Sequence, residues 1–310
     1  RGIRVVKSQL TDFDNYPVYQ NSLKPLGFYS KYNVKANTVF VICAGAAGDI
    51  GFSNKNFWAA DDCYYLETDK YVDSKFIYYY LLSIQNDIKR QVRQASVPRL
   101  GSNVLKSIIL PSVSDNKQQE IVKILDSFTN LIDALNEELS LRQKQFEYYR
   151  EKLLKFDEKP TSIFKFTKVL RGKRLTTKEL SDNAKYPVYH GGTEPIGYYN
   201  EYNRDANTVM VINVGASAGT IGFCNQAFWS SDGCYCLSHN HKIDNKFLYY
   251  SLLIREYKIK SQVRYAGIPT LDQKVIENIQ LFIPSLAIQQ SIVEKLDAFE
   301  SLISSLKEEI

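Results

Sequence analysis

No apolar run in the 310 residues approaches the roughly 20 that a membrane-spanning helix needs, so no membrane partner is expected. Five cysteines, an odd number at irregular spacing, make no disulfide framework and imply free thiols in a reducing cytoplasm. No secretory leader is expected, since the opening residues carry no charged, apolar and small-residue pattern. Several chemistries are excluded by missing motifs. The only Gly-Lys pair, Gly172-Lys173, precedes Arg174 rather than Ser or Thr, so neither glycine-rich stretch is a phosphate-cradling Walker loop. No two of the nine prolines are adjacent, which removes the Pro-Pro motif with which amino-methyltransferases grip a flipped base. No proline precedes Asp, which removes the commonest metal-dependent nuclease motif. Catalysis by this chain is not expected.

What is present is a duplication. Tyr16-Pro17-Val18-Tyr19 returns as Tyr186-Pro187-Val188-Tyr189, Ala36-Asn37-Thr38-Val39 as Ala206-Asn207-Thr208-Val209, and Ile50-Gly51-Phe52 as Ile221-Gly222-Phe223. The echo continues through Phe57-Trp58 and Phe228-Trp229, Gln91-Val92-Arg93 and Gln262-Val263-Arg264, and Ile121-Val122 and Ile292-Val293. A register kept over a whole domain length marks a duplicated domain rather than a short-period solenoid, and two copies of one surface imply a ligand with two related parts.

Charge divides along the same lines. Residues 1–116 hold 14 Lys and Arg against 10 Asp and Glu, whereas 117–158 hold 7 against 9. Residues 159–286 hold 16 against 10, and 287–310 hold 2 against 5. The boundaries of composition are therefore taken as 1–116, 117–158, 159–286 and 287–310. The basic segments read as globular units with an anionic partner, nucleic acid first, while the acidic segments do not belong against phosphate.

Each globular segment reads as mixed and strand-rich. Asn37 to Ile42 and Asn207 to Ile212 are β-branched strands that run into the glycine-rich turns Gly45 to Gly51 and Gly215 to Gly222. Positive-φ turns are the expected use of those glycines. Asp73 to Gln94 is expected to be one amphipathic helix with Phe76, Tyr80 and Ile84 on one face and Lys89, Arg90 and Arg93 near its end, repeated as Asp244 to Arg264. Cys234, Cys236, His239 and His241 could offer four zinc ligands, but the matched residues Cys63, Tyr65, Thr68 and Lys70 supply only one. A Cys-x-Cys strand with a polar turn explains them without a metal.

The acidic segments carry apolar residues at alternating steps of four and three: Ile121, Leu125, Phe128, Ile132, Leu135 and Leu139, then Phe146, Tyr149 and Leu153. This is a heptad seam. With no Pro or Gly between Gln118 and Lys155, one helix of about 38 residues would be on the order of 57 Å long. Ile292, Leu296, Phe299, Ile303 and Leu306 begin the same seam in the second copy. The two helices are expected to bury each other's seams. Arg142 interrupts the first seam, either fixing register or snorkelling to solvent. Two basic readers on stiff helices would act as a caliper for a split duplex DNA site.

In these features the chain resembles the specificity (S) subunits of type I restriction-modification systems. The likeness covers nearly all of it. It rests on the doubled Tyr-Pro-Val-Tyr with Gly27-Phe28-Tyr29 and Gly197-Tyr198-Tyr199, the Asn-Thr-Val strand before a Gly-Ala turn, and Phe-Trp before an Asp. The run from Ile283 to Asp297 and the segment Leu141 to Leu154 also carry it. The resemblance implies an α+β architecture of two tandem, homologous, mixed α/β target recognition domains. Each would be followed by a long helix, the two helices pairing as an antiparallel coiled coil with pseudo-twofold symmetry. It further implies that each domain reads one half of a bipartite site in double-stranded DNA. Two modification methyltransferase subunits and the restriction, or translocase, subunits would be the partners, holding S-adenosylmethionine and ATP respectively, with no cofactor in this chain. Thr161 to Leu170, before the second copy, has no counterpart before Arg1. Two readings compete with the specificity role, a coiled-coil scaffold with loose nucleic-acid binding and an orphan enzyme.

Candidate DNA contacts follow from comparing the copies. Polar disagreements mark candidate base readers: Gln20 against His190, Lys24 against Glu194, Lys31 against Glu201, Lys55 against Gln226, and Arg99 against Thr270. The matched Arg93 and Arg264, before the loops Ser-Val-Pro-Arg and Gly-Ile-Pro-Thr, suit phosphate. Lys89, Lys260, Lys173 and Arg174 complete the set. Because the copies agree so widely, the two half-sites are expected to be related, approaching an inverted repeat.

Overall fold

The computed structural model describes residues 1–69, 71–156 and 159–310. Lys70, matched above to His241, and residues 157–158, the end of the first acidic segment, lie outside the described residues. The chain divides into two compact units, Arg1–Ala134 and Leu135–Ile310.

The first unit holds strands β1 (Tyr16–Tyr19), β2 (Gly27–Tyr29), β3 (Thr38–Ile42), β4 (Ile50–Ser53), β5 (Trp58–Ala59) and β6 (Cys63–Tyr65). They make two three-stranded sheets, in the orders β2-β1-β5 and β4-β3-β6. Within the first sheet β1 is antiparallel to β2 and parallel to β5. Helices α1 (Ser74–Ser83), α2 (Gln85–Arg90) and α3 (Ser102–Lys106) follow, and then the start of α4 (Asp115–Leu153). The run Val39-Phe40-Val41-Ile42 is apolar throughout because β3 is buried on both faces. Val39 and Val41 meet Ile77, Leu81, Ile88 and Leu100, while Phe40 and Ile42 meet Val34, Phe57 and Cys63. Gly51 lies opposite Phe40, whose ring covers it so closely that a Cβ would sit 2.3 Å from the ring.

The second unit repeats this plan. It contains β7 (Thr161–Ser162), β8 (Thr167–Arg171), β9 (Tyr186–Tyr189), β10 (Gly197–Tyr199), β11 (Thr208–Ile212), β12 (Ile221–Cys224), β13 (Trp229–Ser230) and β14 (Cys234–His239). Helices α5 (Asn245–Leu253), α6 (Glu256–Lys260) and α7 (Gln273–Glu277), strand β15 (Gln280–Leu281) and helix α8 (Leu286–Glu309) complete it. The sheets run β10-β9-β13, β12-β11-β14-β8 and β15-β7. Strand β8 adds a fourth, antiparallel strand along β14. Cys234 and Cys236 point from β14 into the core with Met210 and Ile212, whereas His239 and His241 are exposed. Among the described residues no three His, Cys, Asp or Glu side chains are grouped to hold a metal.

One expectation is corrected. Asp73 to Gln94 is two helices, not one, because Ile84 leaves helical geometry at φ −109° and ψ 13°. Ile77 and Leu81 of α1 and Ile88 of α2 reach the core, while Tyr80 and Ile84 are half-buried. In the second copy α5 and α6 are likewise separate, divided at Ile254 and Arg255.

Each long helix is fastened to its unit by the same two residues, a glutamine and an aspartate. Gln118 is buried, its Oε1 accepting from the Asp73 N–H at 2.9 Å while its Nε2 donates to the carbonyls of Tyr71 and Val113. Gln289 does the same for Asp244, Lys242 and Pro284, at 2.7, 3.0 and 2.8 Å. Asp126 accepts from Tyr79 at 2.6 Å and pairs with Lys75 at 2.7 Å, as Asp297 does with Tyr250 and Lys246. Burial alone would raise the Asp126 carboxyl, but the hydrogen bonds from Lys75 and Tyr79 outweigh it and hold its pKa below the usual value. A depressed folded pKa contributes stability that is complete above the unfolded value and is lost as pH falls through the folded one. Acidification below roughly pH 4 is therefore expected to loosen the start of α4. Urea midpoints measured from pH 6 downward should fall less steeply for Asp126→Asn than for the parent chain, and equal slopes would rule the linkage out.

Helix α4 has 39 residues. In the second unit its distal part runs antiparallel to α8. The rings of Tyr149 and Phe299 stack at 5.4 Å with 18° between planes, and Phe146 and Leu153 join the core that holds the buried Ile292 and Leu296. Leu306 is also buried, and Leu135, Leu139 and Ile303 are half-buried. In the first unit Ile121 and Leu125 are half-buried, while Phe128 and Ile132 are 58% and 46% exposed. Arg142 turns back along its own helix, to Glu138 at 3.3 Å and Gln145 at 3.1 Å.

Candidate nucleic-acid interface

Three loops meet at one end of the first unit. They are the β1–β2 loop that starts at Gln20, the glycine turn between β3 and β4, and the loop between Arg93 and Arg99. The last is a small hairpin closed by two backbone hydrogen bonds, Arg93 N–H to Arg99 O at 2.9 Å and the reverse at 3.1 Å. It is pinned to the glycine turn because Gly45 N–H donates to Pro98 O and Leu100 N–H to Cys43 O. On the other side Ala46 N–H donates to Asn21 O at 2.9 Å. Gly45 and Gly48 have φ of 80° and 89°, which a side chain rarely adopts. A Cβ on Gly48 would also strike Lys89 Cγ at 2.9 Å. That contact lays the Lys89 stem along the turn, and its ammonium pairs with Asp49 at 2.7 Å.

The second unit builds the same cluster from the matched residues. Arg264 and Thr270 close the hairpin at 2.9 and 3.0 Å, Gly215 N–H donates to Pro269 O, and Leu271 N–H donates to Asn213 O. Gly219 packs on Lys260, whose partner is Glu256 rather than a residue of the turn. His190 occupies the place of Gln20. Its Nδ1 lies 3.2 Å from the Gly233 N–H and 3.3 Å from Asp232.

The structure thus brings together Gln20, Lys89, Arg93 and Arg99 in one unit and His190, Lys260, Arg264 and Thr270 in the other, with Lys24 in the same loop as Gln20. It does not bring Lys31 or Lys55 to that end. Both are exposed on loops at the opposite end of the β3–β4 hairpin, where Val34 N–H donates to Phe57 O and Ala36 N–H to Asn56 Oδ1. Lys173 and Arg174 follow the edge strand β8. The Lys173 N–H donates to Ser230 O, and its carbonyl accepts from Trp229 Nε1. Sequence reasoning missed Tyr265 and Ile268, 74% and 69% exposed on the second hairpin. Only the closed hairpin distinguishes them from any other loop residues.

Rigid backbone, arginines at the base of a hairpin and dissimilar polar side chains beside them are what a surface needs to hold phosphates and read neighbouring bases. The type I restriction modification DNA specificity domain matches residues 1–141 and again 161–310. A type I specificity subunit of Mycoplasma genitalium is 25% identical over 333 aligned positions, covering 99% of this chain and 87% of that protein. A type I restriction enzyme specificity subunit of Haemophilus influenzae is 29% identical, covering 98% and 85%. The crystal structure of a type I restriction-modification S subunit from M. genitalium superposes with a TM-score of 0.74 at 25% identity, over 99% of this chain and 89% of that one. With a tandem domain match over nearly its whole length, a shared fold and two copies of one loop cluster, the chain belongs to the type I restriction-modification DNA specificity family.

Proposed function

We propose that this chain selects the DNA target of a type I restriction-modification complex and leaves methylation and cleavage to its partners. Each unit reads one half of a bipartite duplex site through its three-loop cluster, and the long helices set the unread gap. The observation that carries this reading is the repeated hairpin closed by Arg93 and Arg99 in one unit and by Arg264 and Thr270 in the other. One pinned scaffold carries different side chains at matched positions, so the halves of the site are related without being the same. Two modification methyltransferase subunits dock on the helices, and the restriction subunits join the assembly. S-adenosylmethionine and ATP belong to those partners, and the complex works in the cytoplasm.

Expression with a cognate methyltransferase in a host lacking other systems, followed by mapping of methylated bases, tests the proposal. The expected result is one two-part motif with a fixed gap. Methylation at a continuous motif, or two halves with no relation, would contradict the reading of the two clusters as variants of one reader. Methylation by the isolated chain would contradict its non-catalytic role.

A further inference from the structure

A cavity of about 550 Å³ opens in the second unit, lined by none of the residues assigned above but by Arg255, Lys258, Gln262, Val275, Asn278 and Gln280 among others. Pro160 also lines it, and among the described residues its wall holds two cations and no acid. Arg255 caps α6, and its Nη1 donates to the Ser251 carbonyl at 2.9 Å, which holds the guanidinium against the protein. Burial lowers its pKa, and among the described residues no carboxylate acts on it to raise it.

The acids close to it in sequence are engaged elsewhere. Glu256 pairs with Lys260 and accepts from the Ile221 N–H, Asp272 caps α7 and pairs with Arg264, and Glu277 accepts from Gln273. No salt bridge joins Arg255 or Lys258 to any described carboxylate. A partly desolvated cation without a counter-ion is unfavourable unless an anion completes it. The scaffold does not demand this arrangement, since the register of the repeat puts Ile84 and Asp87 at the two positions in the first copy.

We propose that this cavity is a phosphate site, with Arg255 and Lys258 holding the phosphoryl oxygens and the amides of Gln262 and Asn278 orienting the group they belong to. Guanidinium and ammonium together suit a tetrahedral anion with several oxygens better than a lone carboxylate. The phosphate comes either from a free nucleotide or from the backbone of the bound duplex, because Gln262 lies two residues before Arg264 of the hairpin. The second source rests on the DNA reading given above.

Two measurements on the full chain decide it. The first is calorimetric titration at low salt with inorganic phosphate and with deoxyadenosine monophosphate, using the parent chain, Arg255→Met, Lys258→Gln and, as a charge-matched control, Lys178→Gln. A free-nucleotide site gives saturable binding that weakens at least tenfold in the first two variants and not in the control. The second is the salt dependence of binding to the duplex found by methylation mapping. A backbone-phosphate site gives no saturable nucleotide binding but lowers the slope of log K against log salt by about 0.9 for Lys258→Gln and not for Lys178→Gln. Should Arg255→Met fail to fold, Lys258→Gln decides alone. The site is overturned if neither measurement separates Lys258→Gln from the control. A parent chain that binds no duplex would remove the DNA reading but leave the titration to judge the cavity.

Discussion

Replacing Gln289 with leucine is expected to lower the stability of the second unit by about 3 kcal/mol, and Gln118→Leu to do the same in the first. Leucine fills nearly the same volume, so no large cavity forms, but three hydrogen bonds disappear at once. The Asp244 N–H and the carbonyls of Lys242 and Pro284 are left facing an apolar side chain. Each buried polar group deprived of its partner costs about 1–3 kcal/mol, and the added apolar burial of leucine offsets part of the total. Gln289→Glu separates the contributions. It keeps the acceptor for Asp244, loses both donors and places a charge in a fully buried site, so it should be at least as damaging. Thermal unfolding followed by circular dichroism would read the change as a fall of roughly 6–12 °C in the corresponding transition. A change under about 1 kcal/mol for both leucine variants would show that the glutamines do not fasten the long helices.

That fastening was not visible in the sequence, although both glutamines stand in plain view in Lys117-Gln118-Gln119 and Ile288-Gln289-Gln290. A polar residue at a helix start reads as solvent-facing, and only the tertiary fold shows that three backbone groups converge on it. The duplication, the buried β3 and β11 strands, the glycine turns and the length of α4 were legible because each depends on local pattern or on repetition. The break at Ile84 was not, since no Pro or Gly marks it. The candidate interface shows the same division. Gln20, Arg93 and Arg99 were named for disagreement between copies or for charge, and so were Lys31 and Lys55. Only the hydrogen bonds among Asn21, Gly45, Ala46 and Pro98 decide that the first group shares one surface while the second lies at the far end of the hairpin. Charge and exposure are read one residue at a time, whereas convergence of loops is a property of the fold.

The arginines at the base of the hairpins set up the second large effect. Arg93→Gln and Arg264→Gln are each expected to weaken duplex binding about fivefold near 0.15 M salt, and the double variant about twenty-fivefold, because each lost phosphate contact removes about 0.9 from the slope of log K against log salt. The two sites lie in separate units, so their effects should add. Glutamine keeps most of the side chain's length, and both hairpins are closed by backbone groups of these residues rather than by their guanidinium groups, so the loops themselves should persist. A phosphate contact carries no sequence information, and the variants should therefore weaken target and random duplex alike. The contrast is with Gln20, His190, Arg99 and Thr270. Exchanging His190→Gln together with Thr270→Arg gives the second cluster the polar side chains of the first, and the mapped methylation motif should change in one half only. Filter-binding or fluorescence-anisotropy titrations over a range of salt concentrations measure the arginine variants. A loss confined to the target duplex would make Arg93 and Arg264 base readers, and no loss at all would move the DNA away from the three-loop clusters.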